Sequence, residues 1–411
     1  VVGCLAWFIF RMARRLADGP YVDFEAFYLA ARAVHGGEDV YAAGRGMYVY
    51  PPMLAAWMAP LGHLPVTNAA WTWFALALAT TLFALYVWWG LVADAFRLSL
   101  GARLPAVGLA LVLWVEQVRR EFETGQCDWL LLGPLVLAAV ALARRPLLAG
   151  LLVGFAINLK YLPLLAVGWF VASRRWTAAV AAVAGVGLWA VLPAAVLGWD
   201  RNLDYLARAA AGLGKLVGVE AAGQPGVVFP LEYEYSVSIP SGAARVGRAL
   251  GVGRSLVVPV TLLAVAVCAA VARRMCRRTG WPPGRSSGAA VLGWCGVLTA
   301  MLAFGPQTQN RHLYLLLPVV LLGTGLLAGG VEPGRVVLGL AAGVLGTALL
   351  GDAGAAAHGE VNWGFVGGGG VAVLVMYLVL LDAGMRRLAA IGRPGDRDEV
   401  AASAAGRRAT P

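Results

Sequence analysis

The sequence predicts an all-α polytopic membrane protein, and three observations carry that prediction. The 411 residues are 60% hydrophobic and only 13% charged, with a mean hydropathy of +0.73. That is more apolar surface than a soluble domain of this size can bury. Apolar runs of roughly 18–25 residues recur, each long enough to cross a hydrocarbon core of about 30 Å. The net charge of +11 is mostly arginine, set in short clusters between the runs rather than along one soluble face. The clustering argues against a nucleic-acid-binding surface. A transmembrane β-barrel is also excluded, because it would alternate polar and apolar residues over strands of about 10 residues.

The elements follow in order. An apolar run opens the chain (VVGCLAWFIF) and continues to about residue 16, so the first helix reads as truncated at its N-terminus. A polar, aromatic stretch precedes a short apolar helix over 53–64, read as re-entrant or interfacial. Spans are expected near 67–93, 104–118, 128–143, 147–158, 160–172 and 176–198. The pair around Lys160 and Pro163 is short on both sides and reads as a broken membrane helix, which is tolerated where protein or water covers the backbone. A long polar segment over 199–254 separates these from spans near 255–272, 288–304, 312–330, 335–351 and 362–383. The expected bundle has about 11–12 transmembrane helices. It forms one unit over 1–390, with outer loops at 17–66 and 199–254 and a disordered cytoplasmic tail over 391–411. The glycine run at 367–370 lies inside the last span and serves helix packing, since it lacks the GxxxxGK[ST] pattern of a phosphate loop. The five cysteines show no CxxC or His pairing at metal spacing and read as small apolar fillers.

Charge sets the orientation. With the N-terminus in the cytoplasm, Arg144-Arg145, Arg174-Arg175, Arg273-Arg274 with Arg277-Arg278, Arg335 and Arg386-Arg387 all fall on the cytoplasmic side. Loops 17–66, 119–127, 199–254 and 305–311 then lie outside a plasma membrane, with Arg11, Arg14 and Arg15 after the first span and Arg119-Arg120 as the exceptions to the charge rule. These loops hold nearly all the polar residues with chemical promise. Asp23 stands out among them: a carboxylate just after the first apolar segment, followed by Tyr41 and Tyr48-Val49-Tyr50-Pro51-Pro52. Such a group, held at the membrane surface and walled by aromatics, suits work on a lipid-linked substrate. Capping the helix that follows is the competing role for Asp23. Glu25 reads as a solvated acid of the first turn or as a neighbour lining the site. Lys160 between apolar helices needs a partner, an aqueous site or a path to the surface, since mid-bilayer lysine costs about 2.5–3.5 kcal/mol on insertion scales. Gln126 reads as a site-lining hydrogen bonder and Asp128 as a helix cap. The run Arg119-Arg120-Glu121-x-Glu123 reads as a solvated face. Tyr48, Tyr50 and Trp57 read as interfacial aromatics first and substrate walls second, and His35 and His63 as surface residues.

Several short motifs, in order along the chain, resemble the glycosyltransferases of the GT-C superfamily, and family 87 most closely. The run Asp23…Tyr28-x-Ala-Ala, Gly37…Tyr41…Tyr50-Pro51-Pro52, then Pro60-Leu61…Leu64-Pro65 resembles the first outer loop of that family. Gly125-Gln126 resembles its Gly-Gln element, with Cys127-Asp128 in place of the usual continuation. Lys160-Tyr161-Leu162-Pro163 resembles its Lys-x-x-Pro element, and Gly305-Pro306…His312 its late Pro…His element. In the long loop, Tyr235-Ser236-Val237-Ser238 stands where the family often has Asn-x-Ser.

The resemblance implies an inverting transfer of a sugar, mannose above all. The donor would be a polyprenyl-phosphate sugar and the acceptor an envelope glycolipid or glycan, outside the cytoplasm. Such a reaction needs a base for the acceptor hydroxyl and positive charge for the departing phosphate. Asp23 is then the base. Lys160, Arg245, Arg248, Arg311 and His312 are the groups for the phosphate, and Glu25, Tyr28, Tyr50, Gln126 and Tyr235 line the substrates. No metal and no other cofactor is expected. The rival reading is a transporter or flippase for a lipid-linked sugar. The broken helix at Lys160 suits a transporter, but no repeat relates the two halves of the chain.

Overall fold

The computed structural model describes residues 10–12, 14–15, 22–214, 229–279, 287–350 and 362–391. Among the described residues the chain is helical throughout, and a lone antiparallel bridge joins Ser236 to Gln309. Five helices are long and apolar enough to cross a membrane: Val66–Phe96, Trp176–Leu197, Gly253–Thr279, Asn310–Ala328 and Gly368–Ile391. Five shorter apolar helices accompany them: Arg103–Leu113, Trp129–Ala141, Pro146–Leu159, Ser287–Ala303 and Pro333–Ala348. The chain is therefore an all-α polytopic membrane protein. Most of the first expected span, and residues 392–411 of the expected tail, lie outside the described residues.

The break at Lys160 is present. Pro146–Leu159 ends there with extended backbone (φ −144°, ψ 138°), and Leu164–Ala172 starts after Pro163. A second break was not expected. The span read near 104–118 stops at Leu113, and Val115–Thr124 forms a separate amphipathic helix through what was read as a loop. Its buried residues, Gln117, Val118, Glu121 and Phe122, recur at helical spacing, and its remaining charges face outward. The long polar segment also carries helices, Trp199–Gly214 and Ile239–Ala249.

Small residues bring the first half of the bundle together. A Cβ on Gly150 would meet the Ala178 carbonyl oxygen at 2.4 Å, and one on Gly154 would meet the Ala182 carbonyl oxygen at 2.7 Å. Pro146–Leu159 and Trp176–Val191 thus approach through a GxxxG-type face, where backbone proximity substitutes for a hydrophobic drive that lipid does not supply. Asn158 locks the same pair, donating to Gly154 O (3.2 Å) and to Val186 O (2.9 Å).

The molecule has two chemically distinct ends. Arg335 and Arg386 both pair with Asp382, and Arg387 donates to the carbonyl of Phe96, the last residue of the longest helix. Leu91 of that helix lines a cavity shared with Arg174, Arg175 and Pro146. Arg174, Arg175, Arg335, Arg386 and Arg387 therefore gather at one end. Trp73 marks the other end, where its indole donates to Gly125 O and its ring meets Phe24 and Phe27. Trp73 and Leu91 lie about 27 Å apart along a regular helix, close to the thickness of a hydrocarbon core.

The long outer segment docks through Arg245. Its guanidinium donates to the carbonyls of Phe365 (2.8 Å), Tyr233 (2.7 Å), Ser236 (2.9 Å) and Gly364 (2.8 Å). Four of its five N–H donors are thus taken by backbone carbonyls, away from the phosphate role expected for Arg245. Burial pulls its pKa down to about 10, and it stays charged at neutral pH. Replacing Arg245 with Met leaves these carbonyls without a donor, at about 1–3 kcal/mol for each one that stays buried. We expect a lower midpoint of thermal unfolding in detergent for Arg245→Met. Arg245→Lys should recover only part, because one ammonium cannot span four acceptors. Wild-type melting of both variants would remove the clamp role.

Candidate functional site

Asp23 occupies the first turn of Val22–Gly36. The helix buries Phe24, Phe27, Tyr28 and Ala31, an i, i+3, i+4, i+7 stripe. Phe27 meets Tyr50 edge-on at 5.2 Å, which fixes the rotation of the helix at its start. Asp23 leaves only 13% of its side chain exposed and points its carboxylate at the inner bundle. Oδ2 accepts from Arg311 Nη1 in an ion pair and from Gln126 Nε2 at 3.2 Å. Oδ1 accepts no hydrogen bond among the described residues. Burial raises the Asp23 pKa above the usual carboxylate value, and the nearby charges of Arg311 and then Lys160 oppose that rise.

Gln126 is held in turn. Its Oε1 accepts from Tyr50 Oη (2.9 Å) and from the Cys127 backbone N–H (3.0 Å), which turns the amide N–H toward Asp23. Gly125 makes this turn by ending Val115–Thr124 in the left-handed region (φ 66°). Two residues on, Asp128 is fully buried and pairs with Lys160 Nζ, whose side chain is 9% exposed. Asp128 was expected to cap the helix opening at Trp129. Its side chain makes no cap bond and serves Lys160 instead. Lys160 Nζ also sits 5.7 Å from the centre of the Tyr50 ring.

Two cavities meet at this group of residues. One, about 410 Å³, is lined mostly by apolar side chains of Pro146–Leu159, Trp176–Val191 and Trp199–Gly214, with Lys160, Tyr50 and His312 at its polar end. The other, about 550 Å³, is lined by Arg120, Glu234, Tyr235, Asn310 and Asn362. Gln309 and Arg311 line both. Arg311 Nε and Asn310 Oδ1 are buried without a protein partner, so hydrogen-bonding capacity remains at the junction. His312 Nδ1 accepts from the Gln309 backbone N–H at 3.3 Å, and its ring faces the apolar cavity.

The structure thus brings together Asp23, Tyr50, Gln126, Lys160, Arg311 and His312, with Tyr235 on the wall of the polar cavity. The other expected site residues stand apart. Glu25 pairs with Arg45 at 3.2 Å on the surface. Tyr28 is buried and donates to Leu64 O at 2.7 Å. Arg248 is exposed, although it lies one helical turn from the buried Arg245. Tyr48, read as interfacial, is fully buried: its hydroxyl donates to Pro51 O (2.8 Å) and accepts from Ala55 N (3.0 Å), tying down the start of Pro52–Gly62. Glu121 was read as part of a solvated run and is 1% exposed beneath the Gln126 turn. The helical spacing of Gln117, Val118, Glu121 and Phe122 was the available signal.

The Lys160–Asp128 pair generates a prediction. Removing one partner strands a buried charge, at about 3–5 kcal/mol. Lys160→Ala and Asp128→Asn should each lower the melting midpoint and the yield of monodisperse protein. The double variant Lys160→Met/Asp128→Asn should fold better than Lys160→Ala. A double variant no better than that single one would show that the pair is not the source of the loss.

Comparison with known proteins gives the family of the chain. The family model for glycosyltransferase family 87 matches residues 48–305, more than half of the chain. That stretch contains Tyr50, Gln126, Asp128, Lys160 and Arg245, whereas Asp23, Arg311 and His312 flank it. A polyprenol-phosphate-mannose-dependent alpha-(1-2)-phosphatidylinositol pentamannoside mannosyltransferase of Mycolicibacterium smegmatis is 29% identical over 67% of this chain and 60% of its own length. A polyprenol-phosphate-mannose-dependent alpha-(1-2)-phosphatidylinositol mannoside mannosyltransferase of Mycobacterium tuberculosis is 29% identical over 50% of this chain and 53% of its own. The M. smegmatis protein of that same description is 28% identical over 77% and 75%. The matched region thus spans little more than half the length of the first two relatives. No solved structure matches the chain. On the extent of the family match, the chain belongs to glycosyltransferase family 87.

Proposed function

We propose that this protein is an inverting membrane mannosyltransferase that uses a polyprenyl-phosphate-mannose donor and a glycolipid or glycan acceptor. One observation carries the reading. A buried carboxylate, Asp23, is paired with an arginine that lines both an apolar and a polar cavity. The relatives, by their names, use a polyprenol-phosphate-mannose donor and act on phosphatidylinositol mannosides, which suggests the donor and the sugar. Arg174, Arg175, Arg335, Arg386 and Arg387 gather at the end opposite Asp23 and belong in the cytoplasm by the positive-inside rule, whereas Arg119 and Arg120 lie at the Asp23 end. The reading therefore puts the reaction on the extracytoplasmic side of the plasma membrane.

The chemistry follows from the side chains. The isoprenoid lies against the apolar cavity, and its phosphate meets Arg311, Lys160 and His312 at the polar end. The acceptor enters through the polar cavity, past Glu234 and Tyr235. Asp23 Oδ1 takes the proton of the acceptor hydroxyl as that oxygen attacks C1 of mannose. The C1–O bond to phosphate breaks on the opposite face, and the electron pair leaves on the polyprenyl phosphate, held by Arg311 and Lys160 with His312 as a hydrogen-bonding neighbour. Arg311 begins paired to Asp23, so the incoming phosphate competes with the base for the same guanidinium.

Purified protein in detergent, given a short-chain polyprenyl-phosphate mannose and a panel of glycolipid acceptors, tests the reading. A new glycosidic bond is the expected result. Movement of labelled lipid-sugar across vesicles with no new bond would instead establish transport. Asp23→Asn should lower kcat by about 10²–10⁴-fold, the usual range for a lost general base, and lower the melting midpoint less than Asp128→Asn, because the Arg311 it leaves is 23% exposed and the Lys160 left by Asp128→Asn is 9% exposed. The pH profile has a defined sign. The base works as carboxylate, so activity is present above its pKa and is lost as pH falls through it. Because burial raises that pKa, the acid limb of kcat/KM should lie above about 3.9, the ordinary aspartate value. Wild-type turnover by Asp23→Asn would end the assignment.

A further inference from the structure

Glu121 sits in the most buried part of the centre and has no part in the mechanism above. It is 1% exposed, on a helix whose other acids, Glu116 and Glu123, form ion pairs with arginines nearer the surface. Its Oε1 accepts from the backbone N–H groups of Asp128 (2.8 Å) and Trp129 (3.3 Å), the opening of helix Trp129–Ala141. Its backbone carbonyl accepts from Gln126 N at 3.1 Å. One residue therefore grips both ends of the 126–129 turn. That turn carries two side chains of the centre: Gln126, which donates to Asp23, and Asp128, which holds Lys160.

Helix starts leave backbone N–H groups without partners, and a residue at the position of Asp128 normally caps them with its own side chain. Here Glu121 supplies the acceptor from the preceding helix, and the Asp128 carboxylate is released to Lys160. We propose that Glu121 is a positioning residue for the transfer reaction. It caps Trp129–Ala141 in place of Asp128 and so sets Gln126 against Asp23 and Asp128 against Lys160. This inference rests on the proposed function and names a residue that acts through others.

The electrostatics agree. The charged and titratable groups facing Glu121 are Asp128 and Cys127 on the turn, Lys160 at the helix break, and Arg311 and Tyr314 on the segment packed against it. Two cations already serve Asp23 and Asp128, so a third carboxylate has no counter-ion. Burial, with Asp128 adding to it, pushes the Glu121 carboxyl toward the protonated form. A neutral acid keeps an acceptor oxygen for the two N–H groups. The other oxygen, Oε2, is buried and has no hydrogen-bond partner among the described residues, as is the case for Asp128 Oδ2. A carboxamide reproduces that state, whereas a shorter carboxylate does not reach.

Glu121→Gln, Glu121→Asp and Glu121→Ala decide the matter in the full-length protein. The readouts are kcat/KM for the short-chain donor, the acid limb of the pH profile, Kd for a short-chain polyprenyl phosphate, and the melting midpoint. We expect Glu121→Gln to stay within about threefold of wild type. Glu121→Asp and Glu121→Ala should lose at least about tenfold in kcat/KM and shift the acid limb, because Asp23 loses its fixed Gln126 donor. A role confined to stability would lower the midpoint and leave the pH profile and the Kd unchanged, which would overturn the inference. So would a folded Glu121→Gln that falls as far as Glu121→Ala. Where Glu121→Asp and Glu121→Ala do not fold, the activity of Glu121→Gln alone decides. A wild type that binds polyprenyl phosphate but transfers nothing defeats the proposed function alone. The order of the three variants in Kd then still tests the role of Glu121.

Discussion

The centre depends on keeping two buried ion pairs apart while tying them to one turn. Asp23–Arg311 and Lys160–Asp128 each place opposite charges in a poorly solvated part of the bundle. Such pairs tolerate burial only with good geometry and further hydrogen bonds. The 126–129 turn meets both conditions, since Gln126 adds a donor to Asp23 and Asp128 is itself the partner of Lys160. Tyr50 links the two pairs, with its hydroxyl on Gln126 and its ring beside the lysine ammonium. In the proposed reaction a phosphate would take Arg311 and Lys160 from their carboxylates by exchange.

The membrane part of the fold explains where the lysine can be. A lysine in mid-span is costly, but a helix that stops at Leu159 delivers one to the end of the bundle. The glycine face of Pro146–Leu159 holds that short helix against Trp176–Val191 without long interdigitating side chains. Tyr161, bonded to the Pro306 carbonyl, ties the break to the loop leading to Arg311 and His312. Arg311 and His312 are thus positioned relative to Lys160 through a side-chain hydroxyl held on a loop carbonyl.

The sequence carried the membrane class, most helix positions, the Lys160 break and the polar residues of the outer loops, because hydropathy and arginine placement are local signals. It was weaker where a residue's fate depends on which side of a short helix it faces. Glu121 and Arg120 are neighbours in a charge run, yet one is buried under the site and the other lines the polar cavity. Arg245 and Arg248 were both assigned to the phosphate, but one is held by backbone carbonyls and the other is exposed. A charge run tells how polar a segment is. Only packing tells which of its members lose water, and the buried ones then take roles that composition does not mark.

The shared position of Arg311 gives the proposed reaction an internal order. With the guanidinium on Asp23, the carboxylate is held ionised but is a weak base, because the cation stabilises its charge. Phosphate at the apolar cavity draws on the same guanidinium, and each step of that transfer strengthens Asp23 as a proton acceptor in a site where burial already raises its pKa. The base would therefore reach full strength only when the donor is in place. Gln126 keeps the carboxylate aimed throughout, since its contact does not depend on Arg311. Without the donor, Asp23 stays neutralised beside an open polar cavity, which limits proton removal from an acceptor that has nothing to attack.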